Sequence, residues 1–391
     1  MVKPFQFARI PKIVFKAGSI AALPDYIKLY GSTIALVTGK SSFINSAQAE
    51  RLLTELKRRK TEFHLVSIHG EPSPDDIDMA VKLLNNKEVD LVVGIGGGSV
   101  LDAGKAISAM LYKSESVIRF LEGVGDMEHP GTSLPFIAIP TTSGTGSEAT
   151  KNAVISRVGT DGFKKSLRHD NFVPDLALVD PELTIDCPPD ITSASAMDCF
   201  TQLTEAYLSD KSTEYTDALA LEGLKAVKSS LIRCCADGKD IEARTGMSFA
   251  ALTSGICLAN AGLGVVHGFA SSVGGLFEIP HGLVCGTLMA KSNEINVREL
   301  RKSPDGKAAL TKYASLGKLF LDARGKDDNH YIDGFIGYLH DLTLSLGLPG
   351  LGKYGIGVKE ITTICAITEN KNNPVKLNME DLHEILSSRC Y

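Results

Sequence analysis

From residue 34 onward, short apolar runs alternate with segments whose apolar residues recur at helical spacing. "IALVT" (34–38), "FHLVSI" (63–68) and "DLVVGIG" (90–96) read as buried strands. Between them, "AQAERLLTELKRR" (47–59) and "DIDMAVKLLNN" (76–86) read as amphipathic helices. This alternation predicts a parallel sheet covered by helices, which "PFIAIP" (135–140) and "DLALVD" (175–180) extend. "PELTIDCPPD" (181–190) then breaks the pattern with three prolines. Beyond it, segments 192–209, 214–235, 240–260 and 264–275 carry helix-forming residues at 3.6-type spacing, with no β-branched strand run. The expected boundary lies near Asp186: an α/β domain over 1–185 and an all-helical domain over 186–391, packed directly with a cleft between them.

Composition narrows this picture. A chain of 391 residues exceeds the size at which single cores usually stop growing, in keeping with two domains. The net charge of −5 gives no basic footprint, so no nucleic-acid partner is expected. No stretch is apolar for long enough to span a bilayer, and the first residues lack the continuous apolar core of a signal peptide; a cytoplasmic protein without a membrane partner is expected. Eight cysteines without a CxxC pair read as reduced thiols, and none receives a role.

Three stretches carry candidate chemistry. In "GIGGGSVLDAGKAIS" (94–108) a buried strand enters three glycines and leaves as a helix. Such a turn lets the backbone approach a diphosphate and aims unpaired N–H groups and the positive end of the helix dipole at it. Ser99 and Asp102 also fit a capping box, a purely structural role. "IPTTSGTGSEAT" (139–150) follows the next strand and interleaves hydroxyls with Gly144 and Gly146. Two such loops at neighbouring strand ends imply a nucleotide cleft, because ligands of open α/β sheets lie at the carboxyl ends of the strands. In "GVVHGFASSVGGLFEIPHG" (264–282), a turn at Gly274-Gly275 and Pro280 lets His267 and His281 meet. With Asp198, four residues before Gln202 on a predicted helix, they make a candidate metal set.

Together these motifs resemble the iron-containing, or group III, alcohol dehydrogenases. The resemblance rests on GGGS-x-x-D-x-x-K at 96–105, P-T-T-x-G-T-G-S-E at 140–148, D-P-E-L-T at 180–184, the frame D-x-x-x-Q-x-x-E-A-Y at 198–207, and H-x(13)-H-G at 267–282. It implies a dehydroquinate synthase-like fold, with an N-terminal dinucleotide-binding domain and a helical metal and substrate domain. It further implies NAD(P)-dependent interconversion of small alcohols and aldehydes or ketones by a homodimer. Gly97, Gly98 and Ser99 would hold the cofactor diphosphate, with Asp102 buttressing that loop. Thr141, Thr142 and Thr145 would line the nicotinamide and ribose side, and Lys165, in a register uncertain by one against Lys164, would bind cofactor. Asn152, Leu263 and Ser271 would border the substrate. The metal, iron or zinc, would sit on Asp198, Gln202, His267 and His281.

Here the chain departs from the family. Typical members carry His at the position of Gln202 and often at that of Ser271. A neutral amide is a poor ligand, so weakened, substoichiometric metal is expected. Without metal, His267 or His281 could donate a proton to the carbonyl while Asp198 fixes the imidazole tautomer. After the first strand of the alternation, Gly39, Lys40, Ser41 and Ser42 stand where NAD-preferring relatives carry an Asp that repels a 2′-phosphate; use of NADP at least as well as NAD is expected. Two other functions fit the same residues: a dehydrogenase of glycerol-type or hydroxy-phosphonate substrates, and a nucleotide-binding protein that no longer turns over.

Overall fold

The sheet is built by alternation inside each strand. A computed structural model describes residues 4–390. Its eight strands are β1 (Lys12–Phe15), β2 (Thr33–Gly39), β3 (Glu62–Ile68), β4 (Leu91–Gly96), β5 (Phe136–Pro140), β6 (Asn152–Arg157), β7 (Phe163–Arg168) and β8 (Leu176–Val179). Six form one parallel sheet in the order β1-β8-β5-β4-β2-β3, and β6 and β7 form a separate antiparallel hairpin. Side chains of successive strand residues point to opposite faces. Ile34, Leu36, Leu91, Val93, Ile137 and Ile139 therefore enter one core and Ala35, Val37, Val92 and Ala138 the other. Helices α1 (Leu23–Ile27) and α2 (Ala47–Arg58) cover the first face, and α3 (Pro74–Leu84) and α4 (Gly98–Met110) the second. Leu52 and Leu56 of α2 are buried there, each worth about 1.5–3 kcal/mol relative to exposure. The expected strands and helices of this half are present within two residues at each end. Strand β1 and the β6–β7 hairpin were not anticipated, because short strands with mixed exposure leave no clean period-2 signal.

The strand order places the nucleotide crevice. From β2 the chain moves outward to β3, then returns to the other side of β2 to lay down β4 and β5. The direction reverses between β2 and β4, so their carboxyl ends, Gly39 and Gly96, flank the switch point where such sheets bind ligands.

After Val179 the chain is helical: α5 (Pro189–Leu208), α6 (Glu214–Ala236), α7 (Ile241–Ala261), α8 (Val265–Leu276), α9 (His281–Lys302), α10 (Lys307–Phe320), α11 (Asp328–Ser345), α12 (Val358–Ile367) and α13 (Met379–Ser387). These share one apolar core around Phe200, Phe269, Leu288 and Phe335. No single helix is long and apolar enough to cross a membrane. Helices α7 and α8 meet at 98°, across a break where Gly262 takes φ +71°. That bend re-aims α8 toward α5, which sets up the site.

Candidate active site

The first loop opens α4 with Gly97 as its N-cap, and no side chain caps that end. Its leading N–H groups are thus left to a ligand rather than to the expected capping box. Asp102 is committed elsewhere: it accepts from Ser147 Oγ at 2.5 Å and from the Val154 N–H at 3.1 Å. Lys105, buried beneath it, donates to Ser147 O and Ser147 Oγ, both at 2.9 Å, to Thr150 Oγ1 at 3.2 Å, and to the Asn152 carbonyl. Asp102 and Lys105 therefore bolt the first loop to the second, the buttress expected of Asp102. The loops touch so closely that a Cβ on Gly98 would lie 2.6 Å from Thr145 Cγ2, and Thr142 packs against Gly97 in the same way. Thr141 donates its N–H to Gly96 O at 3.0 Å. Ser99 lies half-buried at the helix start, and Lys40, Ser41 and Ser42 are exposed beyond β2.

The hairpin sends the two lysines of the pair to opposite faces. Lys164 pairs across to Ser156 and Lys165 to Ile155, so the two point to opposite faces. Lys164 packs on Gly274 of α8, forms an ion pair with Glu71, and lowers the pKa of His281 by its charge. Lys165 points instead toward Gly123. Lys164 thus lies on the α8 side of the cleft and Lys165 on the opposite face of the hairpin.

The second constellation is built on three helices. Asp198, Gln202 and Glu205 fall at i, i+4 and i+7 on one buried face of α5. His267 stands in the first turn of α8, and His281 begins α9, with Cys285 four residues later on the same face. Helix α9 can lie against α5 because Gly282 carries no Cβ; one would collide with the Ala194 carbonyl oxygen. His267 and His281 meet as expected, with ring centroids 5.5 Å apart. His267 Nε2 is 3.2 Å and His281 Nε2 3.8 Å from Asp198 Oδ1. Cys285 Sγ is 3.6 Å from His267 Nε2 and 3.8 Å from His281 Nε2. One donor atom from each of Asp198, His267, His281 and Cys285 lies within 4.8 Å of the other three.

Two of the surrounding groups differ from expectation. Glu205 Oε2 holds His267 from behind, 2.6 Å from Nδ1, while Nε2 faces Asp198 Oδ1 at 3.2 Å. Glu205 Oε1 is held in turn by the Val266 N–H at 2.7 Å. Gln202 was expected to offer its amide oxygen to a metal. Instead that oxygen accepts from Ser254 Oγ at 3.0 Å, and the amide nitrogen donates to Asp198 Oδ1 at 3.3 Å. The orientation follows from the neighbour: an ionised carboxylate accepts only, so the amide must turn its N–H toward it. In this orientation the Gln202 amide supports Asp198.

Burial opposes the His267 charge, but Cys285, Glu205 and Asp198 push this imidazole well above its ordinary value, so without a cation it carries a proton on both nitrogens. Burial opposes the Asp198 charge, but His281 and His267 overcome it and hold the carboxyl at about 2. Burial and the Lys164 ammonium push His281 down to about 4, and burial raises the Cys285 thiol to about 11. His281 Nδ1 is buried without a hydrogen-bond partner among the described residues. One ionised carboxylate, two imidazoles and a thiol, with the first imidazole oriented by a carboxylate behind it, suit a divalent cation of the iron or zinc class.

Around this pocket, Ser271 lies one turn beyond His267 and donates to its carbonyl at 2.9 Å, while Leu263 sits in the α7–α8 break one turn before it. Asn152 opens β6. Lys371, unforeseen in the sequence because it lies in a loop far along the chain, brings its Nζ to 3.3 Å from Ser271 Oγ. Cys285 and Glu205 were also unforeseen. The signal for both was i, i+4 and i, i+7 spacing from residues already singled out.

Two family profiles match the chain: "Iron-containing alcohol dehydrogenase" over residues 11–181 and "Fe-containing alcohol dehydrogenase family, C-terminal" over 192–390. The chain belongs to the iron-containing alcohol dehydrogenase family. It is an NAD(P)-dependent oxidoreductase acting on CH–OH groups. Alcohol dehydrogenase 4 of Saccharomyces cerevisiae is 31% identical over 96% of each chain. The NADPH-dependent butanol dehydrogenase of Clostridium saccharobutylicum is 28% identical over 97% of this chain and 96% of its own. The structure of sulfoacetaldehyde reductase from Bifidobacterium kashiwanohense in complex with NAD+ superposes with a TM-score of 0.85, at 25% identity and 99% coverage of both chains.

Proposed function

We propose that the chain reduces small aldehydes, and oxidises the matching alcohols, in the cleft between the carboxyl edge of the sheet and helices α5, α8 and α9, with NADP(H) used at least as well as NAD(H). One observation carries this reading. The loop that closes on α4 through Thr145 also packs through Gly144 against Ser195, one helical turn before Asp198, so the cofactor loops and the polar pocket adjoin. When bound, nicotinamide would supply or take the hydride, and a divalent cation held by Asp198, His267 and His281 would polarise the substrate oxygen.

The chain's own residues do the rest. The uncapped start of α4 and the Gly97-Gly98-Ser99 turn hold the diphosphate, with Lys164 adding positive charge on that side. Thr141, Thr142 and Thr145 line the cofactor cleft. Asp198, His267 and His281 hold the cation; Gln202 and Glu205 orient Asp198 and His267. Asn152, Leu263 and Ser271 border the substrate. Gly39 leaves room for a 2′-phosphate, and Lys40, Ser41 and Ser42 offer it charge and hydroxyl donors. The eight cysteines, all free, suit a reducing compartment, so we place the protein in the cytoplasm. The family resemblance supports a homodimer, which light scattering in solution tests. Oxidation of NADPH and NADH on addition of a panel of small aldehydes tests the activity: turnover supports it, and cofactor binding without turnover on any aldehyde would refute it.

A further inference from the structure

We infer that Cys285 is the fourth metal ligand of this chain, filling the corner that Gln202 leaves, and that the pocket is an Asp-His-His-Cys centre selective for zinc over iron. The inference deepens the site assignment above and rests on it. Its first support is the distances. Bonds of about 2.0–2.1 Å to nitrogen and oxygen and about 2.3 Å to sulfur give tetrahedral edges of about 3.3 Å for nitrogen–oxygen and about 3.6 Å for sulfur–nitrogen. The pocket shows 3.2 and 3.8 Å from Asp198 Oδ1 to the two imidazole nitrogens, and 3.6 and 3.8 Å from Cys285 Sγ to the same two atoms. These four separations match the edges one cation needs, and all four donors lie within 4.8 Å of one another, close enough for a single ion to reach them all.

The second support is Gln202. With its oxygen engaged by Ser254 and its N–H facing Asp198, it presents no lone pair to the centre. The weak binding expected from the sequence took this amide as the fourth donor. Replacing it by a thiolate keeps the donor count at four and shifts the preference toward softer, borderline metals. The third support is the backbone. Gly282 and Gly286 flank Cys285 on α9 and let that helix close on Ala194 and Met197 of α5, bringing the thiol to the centre from a position no metal motif marks. Binding converts the thiol to thiolate and releases one proton.

Cobalt(II) is the probe. Full-length protein is stripped by chelator, loaded with Co(II) without oxygen, and compared with Cys285→Ser and Gln202→Ala. Wild type is expected to take up one equivalent with an intense sulfur-to-cobalt charge-transfer band in the near ultraviolet. Gln202→Ala should keep the band. Cys285→Ser should lose it, bind Co(II) and Zn(II) about tenfold or more weakly, and bind NADPH unchanged. Wild-type protein that binds Co(II) without the band, or binds none, overturns the inference, as does undiminished metal affinity in Cys285→Ser. Should Cys285→Ser fail to fold, the wild-type spectrum, together with protection of Cys285 from alkylation by Zn(II), decides the matter. Aldehyde reduction by a Co(II) enzyme that lacks the band would reject Cys285 as a ligand and leave the site assignment standing.

Discussion

The nucleotide loops and the polar pocket lie side by side, yet they are built by different means. The loops work through backbone: glycines that admit close approach, a helix start with no side-chain cap, and a buried Asp102–Lys105 bolt between them. The pocket works through side chains, each donor having to be a particular residue at a particular corner. In the pocket the Gln202 amide turns its N–H toward Asp198, and Cys285 comes in from another helix. A site made of backbone is held by the fold itself; a site made of side chains can trade one donor for another as long as helices bring a substitute within reach.

Asp198→Ala should separate the two regions most strongly. It removes the carboxylate that both imidazoles face, so kcat/KM for aldehyde reduction should fall by about 10³-fold or more. The Kd for NADPH should shift by less than about threefold, since the diphosphate is held by the backbone of the Gly97-Gly98-Ser99 turn and not by Asp198. Equal losses in both would show that the regions are one cooperative unit. Glu205→Gln sharpens the contrast within the pocket. It leaves the donor cluster intact but weakens the hold on His267 Nδ1, and metal affinity measured by competition with a chelator should fall by about 10–100-fold. Unchanged affinity would assign Glu205 to packing alone.

Gly39→Asp tests the loop side. An added Cβ meets only Ser42 Oγ at 3.8 Å and Val100 Cγ2 at 3.9 Å, so the fold tolerates it. The carboxylate should cost NADPH on the order of 1–3 kcal/mol relative to NADH through repulsion of a 2′-phosphate. A wild type that strongly prefers NADH, or a variant losing both cofactors equally, would contradict the NADP(H) assignment.

The smallest effect lies outside both regions. His129 is buried between Phe120 and Phe172, accepts the Gly131 N–H at Nδ1, and contacts Ala109 O through Nε2. Burial, with Lys113 nearby, lowers its pKa from the usual 6.5 to about 4. Between those values the unfolded chain binds the extra proton and the folded one does not, so stability rises with pH; this contribution is full above about 6.5 and is lost as pH falls toward 4. In His129→Gln the slope of Tm against pH across that window should flatten, while cofactor and metal binding stay unchanged. An identical slope would mean other groups set it.

Most of the architecture was legible because its signals are local. Strands such as 34–38 and 90–96 are continuous apolar runs, and the long helices carry their period in sequence. The glycine loops were legible for the same reason. What sequence hid was direction and distance. Lys164 and Lys165 are neighbours that point to opposite faces, which only the hairpin register decides. Gln202 has the right position for a ligand, but Asp198 and Ser254 dictate which way its amide turns. Cys285 lies far from Asp198 along the chain and becomes its neighbour only because α9 packs on α5 through glycines. The i, i+4 spacing from His281 sets the face of α9 that carries the thiol, but which helix that face meets is not written in the spacing.

The most direct test is aldehyde-dependent oxidation of NADPH by one preparation in three states: as purified, after exhaustive chelation, and after return of Zn(II). Turnover in the first state, a fall of about tenfold or more in the second and recovery in the third is the predicted result. Full turnover persisting after chelation, with metal below about one-tenth per chain by elemental analysis, would contradict it and shift the proton-donating role to His267 or His281.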